Sequence, residues 1–564
     1  MFSAVNSISD SPSNILFGSS RLRTGIFGVI LAILVVYVYM SQKRSKRAHN
    51  THGLPTPPGP KPAPIIGNLF DIPREKESAA YNKMAKEYGD LTYLSVLGKS
   101  ILVVNNYATA QELFEKRSAN YSDRNELPMI NDLMGWDWSF GHMPYGPRWK
   151  MHRTMFRHQF QSSVVSGFWP IQLKEAHKLI RNMLHDPEAL INHLRFNSAS
   201  TIMNVIYGIE IQSEDDRYIT VAETALDGMA RAANPGAFFV DIFPILKYVP
   251  NWMPFAGFKR KAEFWRKSVL EMRDAPFDMV TRRMKEGTAS SSFVSNLLTD
   301  LELRKDLSRS AVATETETIR NCAGLAYAAG AESTVSSLSS FTLAMILYPE
   351  VQERARREID SVVGLGRLPD FSDRKSLPYI DAIVKEVLRW NPVAPLGLPH
   401  MATRDDKFRG YRIPAGTLVL GNTWFSISLS SLLSCFRLSS IDFFLRGRTI
   451  LHNPDTFPDP MTFNPDRFLS KDPAVMDPVN VAFGYGRRIC PGRFMAEGQL
   501  WISISCILSA FEIKPGANED GRDVKTEPAF ASGMICHPLP FKTTIKPRSE
   551  KARLLIEETV DLLA

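Results

Sequence analysis

The run FGYGRRICPGRFMAEGQLWISI, residues 483–504, decides how this chain is read. Gly484 and Gly486, Cys490 and the pair Pro491-Gly492 lie in a loop that passes straight into an apolar-periodic helix. Cys490 therefore stands just ahead of a helix N-terminus, where unpaired backbone N–H groups and the dipole favour a thiolate. A lone cysteine in such a place is usually inert, because free cysteines are among the most buried residues. Its neighbours change the reading: Phe483, Gly486, Arg488, Cys490 and Gly492 fall into the spacing F-x-x-G-x-R-x-C-x-G, five fixed positions in ten.

Composition narrows the rest. At 564 residues and 44% hydrophobic content the chain can bury one large core or two ordinary ones. A formal charge of +8, with no long Lys/Arg tract interleaved with aromatics, argues against a nucleic-acid groove. The five cysteines are scattered and contain no CxxC, which argues against a disulfide scaffold or a zinc site and favours a reducing compartment. Short strands are expected early, in LTYLSVL and SILVVN, and late, in GTLVLGN; helical periodicity dominates from about Ser122 to Gly364, with no internal repeat. Mostly helix with a minor sheet is the expected class.

The haem-binding loop of the cytochrome P450 family resembles the 483–492 spacing, and other segments extend the likeness over nearly the whole chain. Glu386 and Arg389 in LPYIDAIVKEVLRW stand three apart on a helix, ordinarily a solvated pair. Here they resemble the family's E-x-x-R helix, with Arg467 in FNPDRF completing a Glu-Arg-Arg cluster. Trp149 and Arg153 fit W-x-x-x-R, a spacing also common on plain helix faces, and His400 sits where the family often places a propionate-binding residue. Ala329-Gly330-Ala331-Glu332-Ser333-Thr334 is similar to the oxygen-binding motif A-G-x-D/E-T-T/S, with Ser333 where threonine is usual. By general character the chain looks most like fungal microsomal members of the secondary-metabolism branch, of the O-methylsterigmatocystin oxidoreductase type.

The resemblance implies a single large, mainly α cytochrome P450 domain with a minor β region, holding haem b, with Cys490 as the axial thiolate ligand of the iron. It implies that Arg488, Trp149, Arg153 and His400 serve the propionates, that Phe483 packs beside the sulfur, and that Gly486 and Gly492 let backbone approach it closely. Glu386, Arg389 and Arg467 would brace the proximal side. Glu332 with Ser333 or Thr334 would deliver protons through a local distortion of a long helix that ends before Pro349; the plainer alternative is that the hydroxyls only bond back to carbonyls. The implied reaction inserts one oxygen atom of O2 into an apolar small molecule. Electrons would come from a separate NADPH-cytochrome P450 reductase, with cytochrome b5 as a second donor, on a basic face including Lys150, Arg157, Arg487 and Arg493. The alternatives are a haem-thiolate isomerase or dehydratase acting on oxidised lipids and a haem-binding, inactive product. Family position assigns the substrate pocket to Pro128–Trp138, Gly236–Phe243, Ala326–Ala331, Val393–Leu398 and Phe530–Gly533, mostly apolar segments.

Two stretches lie outside that frame. Residues 1–24 are expected to face the lumen of the endoplasmic reticulum. The uncharged run GIFGVILAILVVYVYM falls in 25–41, read as a single membrane anchor slightly under the roughly 17–25 residues of a full span. Lys43, Arg44, Lys46 and Arg47 follow it and put the catalytic domain in the cytosol. A cleaved signal peptide is the competing reading. A basic, proline-rich hinge spans 42–66, the haem domain 67–548 and a tail 549–564. Within the domain, Phe425 to Thr449 is a Ser/Leu/Phe run with about 24 residues more than the family has between N-T-W and I-L-H-N-P, and we read it as a retained intron or a gene-model error.

Overall fold

The computed structural model describes residues 53–559, apart from 74, 235, 255, 425–448, 471–474 and 519. The segment 1–24, the apolar run 25–41, residues 42–52 of the hinge, the insertion up to residue 448 and residues 560–564 lie outside the described residues. Among the described residues no helix is long and apolar enough to cross a membrane.

Strands β1 (Leu91–Val96) and β2 (Lys99–Val104) form an antiparallel hairpin turned by Leu97 and Gly98, both at positive φ. Later come β3 (His400–Met401) and β4 (Leu418–Gly421), giving the order β1-β2-β4-β3, with β2 and β4 parallel. The proline-rich segment reaches this sheet and a neighbouring two-stranded one (Asp406–Phe408 with Tyr411–Ile413): the Tyr93 amide donates to the Pro58 carbonyl at 2.8 Å and the Arg412 amide to that of Pro55 at 2.8 Å.

Helices make up most of the remainder. Those that position the site are α1 (Pro147–Phe160), α2 (Trp169–His185), α3 (Leu190–Tyr207), α4 (Arg217–Ala233), α5 (Gly257–Lys285), α6 (Arg309–Leu347), α7 (Pro378–Trp390) and α8 (Arg493–Ala510). α6 is the axle of the domain. Its first half packs through Ile319, Cys322 and Ala326 into one apolar core, and its second half through Val335, Leu338 and Phe341 into another. Each large side chain fully buried in this way contributes about 1.5–3 kcal/mol. α8 is apolar nearly all round and buried, as a helix enclosed on every side must be. It packs against α2, α6 and α7, so the loop that carries Cys490 is anchored on a rigid element.

The expected distortion of α6 is absent: the helix is continuous through Ala329–Thr334 and ends at Leu347. Two hydroxyls satisfy the motif's carbonyls without breaking the ladder. Ser333 Oγ donates to Ala329 O at 2.8 Å, and Ser198 Oγ of α3 donates to Gly330 O at 2.7 Å. Glycine at 330, worth about 1 kcal/mol against helix, is explained by packing instead, since a Cβ there would lie 3.0 Å from two carbons of Ile202.

Across the insertion the chain ends meet. The Ile450 amide donates to Asn422 O at 3.1 Å and the Leu451 amide to Thr423 O at 3.0 Å. With residues 425–448 left out of the count, both are consecutive i→i+4 bonds, the spacing of an α-helical turn. Trp424 is buried and its indole donates to Trp390 O at 2.8 Å.

Candidate active site

Cys490 closes its own loop. Its amide donates to the Phe483 carbonyl at 2.8 Å, and the N-cap of α8 is Gly492. Phe483 packs against the core that holds α8. Burial pushes the thiol up; the Gly492 amide, Arg153 and Arg493 pull it down, and burial prevails in the protein alone. Gly486 has φ +52, and a Cβ on it would stand 2.2 Å from the Phe114 carbonyl. Its need is thus a left-handed turn against neighbouring backbone, not closeness to the sulfur. Gly492 would accept a Cβ with no atom within 4 Å, so crowding by protein does not explain it.

Two buried cations, Arg124 and Arg488, and the half-buried Arg153 gather beside this loop. Arg488 donates to the carbonyls of Ser122 at 2.7 Å and Met143 at 2.9 Å, and its guanidinium lies 4.5 Å from the Trp149 ring centre. Arg124, which no motif in the sequence marks, donates from Nη1 to Leu398 O and Pro399 O, each at 2.7 Å, and from Nε to Gly141 O. Arg153, one turn beyond Trp149 on α1, faces the Cys490 sulfur electrostatically. Burial lowers Arg124 to about 9, and Arg153 and Arg488 to about 10, leaving all three charged at neutral pH. None has a carboxylate ion-pair partner among the described residues. Buried cations of this kind call for an anion, and a haem brings two propionates, so the residues fit the group.

His400, on β3, donates from Nδ1 to Tyr121 O at 2.6 Å, and burial with the nearby Arg124 holds its pKa well below the ordinary value. An anion at its other nitrogen would draw a second proton there. Below, Glu386 on α7 takes both Nε and Nη2 of Arg389, at 2.7 and 2.8 Å. Arg467 Nε stands 3.6 Å from Glu386 Oε1, and the Asn464 amide donates to the same oxygen at 2.7 Å. Arg389 also donates to the carbonyls of Leu451 and Pro460, tying the chain beyond the insertion to α7.

On α6, Ala329 is the single exposed residue between Asn321 and Ile346, and Ser333 lies on the same stripe one turn on. Thr334 makes no side-chain hydrogen bond. Glu332 points elsewhere, into a cleft with Arg195, Glu223 and Tyr327, and burial raises its pKa.

The pocket segments divide. Met129, Trp136, Trp138, Ala326 and Ala328 are buried in one core. Phe530 packs edge-on between Trp390 and Trp424, at 5.4 and 5.3 Å. In Gly236–Phe243, by contrast, Phe239 and Phe243 are exposed and only Val240 is buried, which removes most of that segment from a pocket wall.

The sequence profile of the cytochrome P450 family matches residues 57–427 and 442–545. The chain belongs to the cytochrome P450 family. It is 41% identical to a cytochrome P450 monooxygenase of Armillaria gallica, over 94% of this chain and 98% of the other. A cytochrome P450 monooxygenase of Coprinopsis cinerea is 38% identical, over 92% and 94%. The tryptamine 4-monooxygenase of Psilocybe cyanescens is 36% identical, over 93% and 98%. Cytochromes P450 are haem-thiolate enzymes, and this one is accordingly an oxidoreductase that incorporates oxygen from O2. Residues 428–441 of this chain, within the run 425–449, are left unmatched by the profile.

Proposed function

We propose that this cytochrome P450 inserts one atom of O2 into an apolar small molecule at a haem held by Cys490, with electrons from a separate NADPH-cytochrome P450 reductase and cytochrome b5 as a second donor. The observation that carries it is the cluster of the buried Arg124 and Arg488 with the half-buried Arg153 around the Cys490 loop. Bound haem would supply the iron at which dioxygen is reduced and cleaved. The chain's own residues do the rest: the three guanidinium groups and His400 hold the propionates, Arg153 and the Gly492 amide favour the thiolate, and the Glu386 cluster braces the segment behind it. Glu332 supplies protons, and Ser333, on the exposed stripe, is the hydroxyl that passes them on. The test is the carbon-monoxide difference spectrum of the reduced, haem-loaded protein. A thiolate-type Soret band, lost in Cys490→Ser, supports the assignment; an ordinary histidine-type band in the unaltered chain overturns it.

The partner surfaces follow from charge and exposure. Arg487 and Lys150 converge on Tyr145, whose hydroxyl accepts from Arg487 at 2.7 Å, and Arg157 is exposed nearby on α1. This basic face suits an acidic reductase. Phe239, Ile245, Tyr248 and Trp252, all more than two-thirds exposed, make an apolar rim beside Lys247 and Lys259. Such a rim favours a cytosol-facing domain resting on the endoplasmic reticulum membrane, with residues 25–41 as its anchor.

We propose further that residues 425–448 are absent from the working enzyme. The helical-turn spacing from Asn422 to Leu451 supports this, as does the family profile's gap. So does the genetic code: the Trp424 codon ends in G and every Phe codon begins with T, which writes an intron's GT at this junction. An AGG codon at Arg448 would supply the closing AG and the G that restores tryptophan. Sequencing the mature message decides it, and a single message encoding all these residues would overturn it.

A further inference from the structure

Glu332 and Ser336 lie one turn apart on α6 and meet two consecutive residues of the C-terminal loop. Ser336 donates its hydroxyl to the Cys536 carbonyl, and Glu332 Oε2 stands 3.5 Å from His537 Nε2. The loop cannot drift from this contact. The Cys536 amide donates to Val393 O at 2.8 Å, Asn391 Nδ2 reaches the Cys536 carbonyl at 3.4 Å, and the Ala531 amide donates to the His537 carbonyl at 2.7 Å. Asn391 is itself tied to α6 through Ser340 Oγ at 2.8 Å. Polar bonds from three parts of the chain thus place one imidazole against one carboxyl.

The charges around the pair form a path to solvent. Arg195 of α3 and Glu223 of α4, half-exposed and 3.7 Å apart, line the same cleft as Glu332. Arg195 opposes burial at Glu332 and reinforces it at His537, so the imidazole stays neutral, down to about 4, while burial still raises the carboxyl above its ordinary value. A neutral imidazole beside a carboxyl that holds its proton more tightly than usual is arranged to steady the acid rather than to neutralise it.

We propose that His537 is a positioning residue for Glu332, holding its carboxyl at the inner end of a proton path whose mouth is the Arg195–Glu223 pair. The proposal rests on the reading of Glu332 as proton source. Oxidation of a substrate R–H consumes O2, two electrons from the reductase and two protons, and yields R–OH and water. When protons arrive out of place, the same two electrons and two protons leave as hydrogen peroxide with the O–O bond intact.

The test uses the haem-loaded full chain with His537→Phe, His537→Gln and Glu332→Gln, each first shown to keep the carbon-monoxide spectrum of the unaltered protein. Two quantities are read: the carboxyl C=O infrared stretch assigned by its loss in Glu332→Gln, and the share of oxygen released as peroxide when NADPH and reductase are supplied. His537→Phe is expected to shift the band and raise the peroxide share severalfold, and His537→Gln, which can still bond the carboxyl, to restore both. If Glu332→Gln raises the peroxide share but His537→Phe leaves band and share unchanged, the positioning role is overturned and the reading of Glu332 stands. If Glu332→Gln leaves the share unchanged, both fall. Should His537→Phe fail to load haem, His537→Ala is read in the same two assays, and unaltered values there overturn the proposal.

Discussion

Glu386 receives two hydrogen bonds from the Arg389 guanidinium, and neither side chain has any exposure to solvent. Breaking such a pair leaves a charge buried without its partner, at a cost of about 3–5 kcal/mol. Glu386→Gln is therefore expected to lower the yield of folded, haem-loaded protein sharply. Haem absorbance per protein after purification is the measurement. Normal yield would show that the carbonyls around Arg389 suffice to hold its charge.

Arg124 offers a separate reading of the cofactor site. Arg124→Met removes one of the two buried arginines beside the Cys490 loop while keeping most of the volume. The chain should fold and lose haem faster to apomyoglobin, a transfer followed by absorbance. An unchanged transfer rate would assign Arg124 to bracing the Leu398–Pro399 turn alone.

Burial raises Asp241 to about 6, although its carboxylate accepts the Met129 amide at 2.9 Å and Lys99 is close. The folded state thus binds this proton more tightly than the unfolded one. The stability linked to it is fully present below pH of about 4 and is lost as pH rises to about 6. Asp241→Asn keeps the acceptor and removes the ionisation. It should stabilise the protein by about 1–2 kcal/mol at pH 7, after allowance for partial exposure, and by nearly nothing at pH 4. Urea midpoints at the two pH values check this, and an equal gain at both would refute the assignment.

Gly486→Ala forces a Cβ into the Phe114 carbonyl from a left-handed backbone. Gly492→Ala meets nothing from the protein. The first should unfold at lower urea even without haem, and the second should match the parent in that haem-free comparison.

Deleting residues 425–448 should leave the thiolate spectrum unchanged and raise the urea midpoint, because closing a loop of that length costs about 3 kcal/mol. A deletion that lost the spectrum would show that the flanks need the segment.

The Cys490 loop and the Glu386–Arg389 pair were legible in the sequence because their chemistry is local: a loop feeding a helix, and two residues on one helical face. Arg124 was not. Its surroundings, YSDRNELP, carry no motif, and it becomes a buried cation only when carbonyls of Gly141, Leu398 and Pro399 arrive from elsewhere in the chain. His537 was hidden for the same reason, since its meaning depends on a clamp assembled from three distant segments. The distorted helix was expected from the likeness of Ala329–Thr334 to the oxygen-binding motif, yet hydroxyls of Ser198 and Ser333 satisfy its carbonyls within a regular helix.

The backbone closure between Asn422 and Ile450 has a practical meaning for anyone building on this protein. The flanks at Asn422–Thr423 and Ile450–Leu451 are joined to each other directly, by bonds that owe nothing to what lies between. The Trp424/Thr449 junction is therefore a socket: a fluorescent reporter or tethered electron carrier whose own termini lie close together can be seated there without repacking the helices that surround the cofactor.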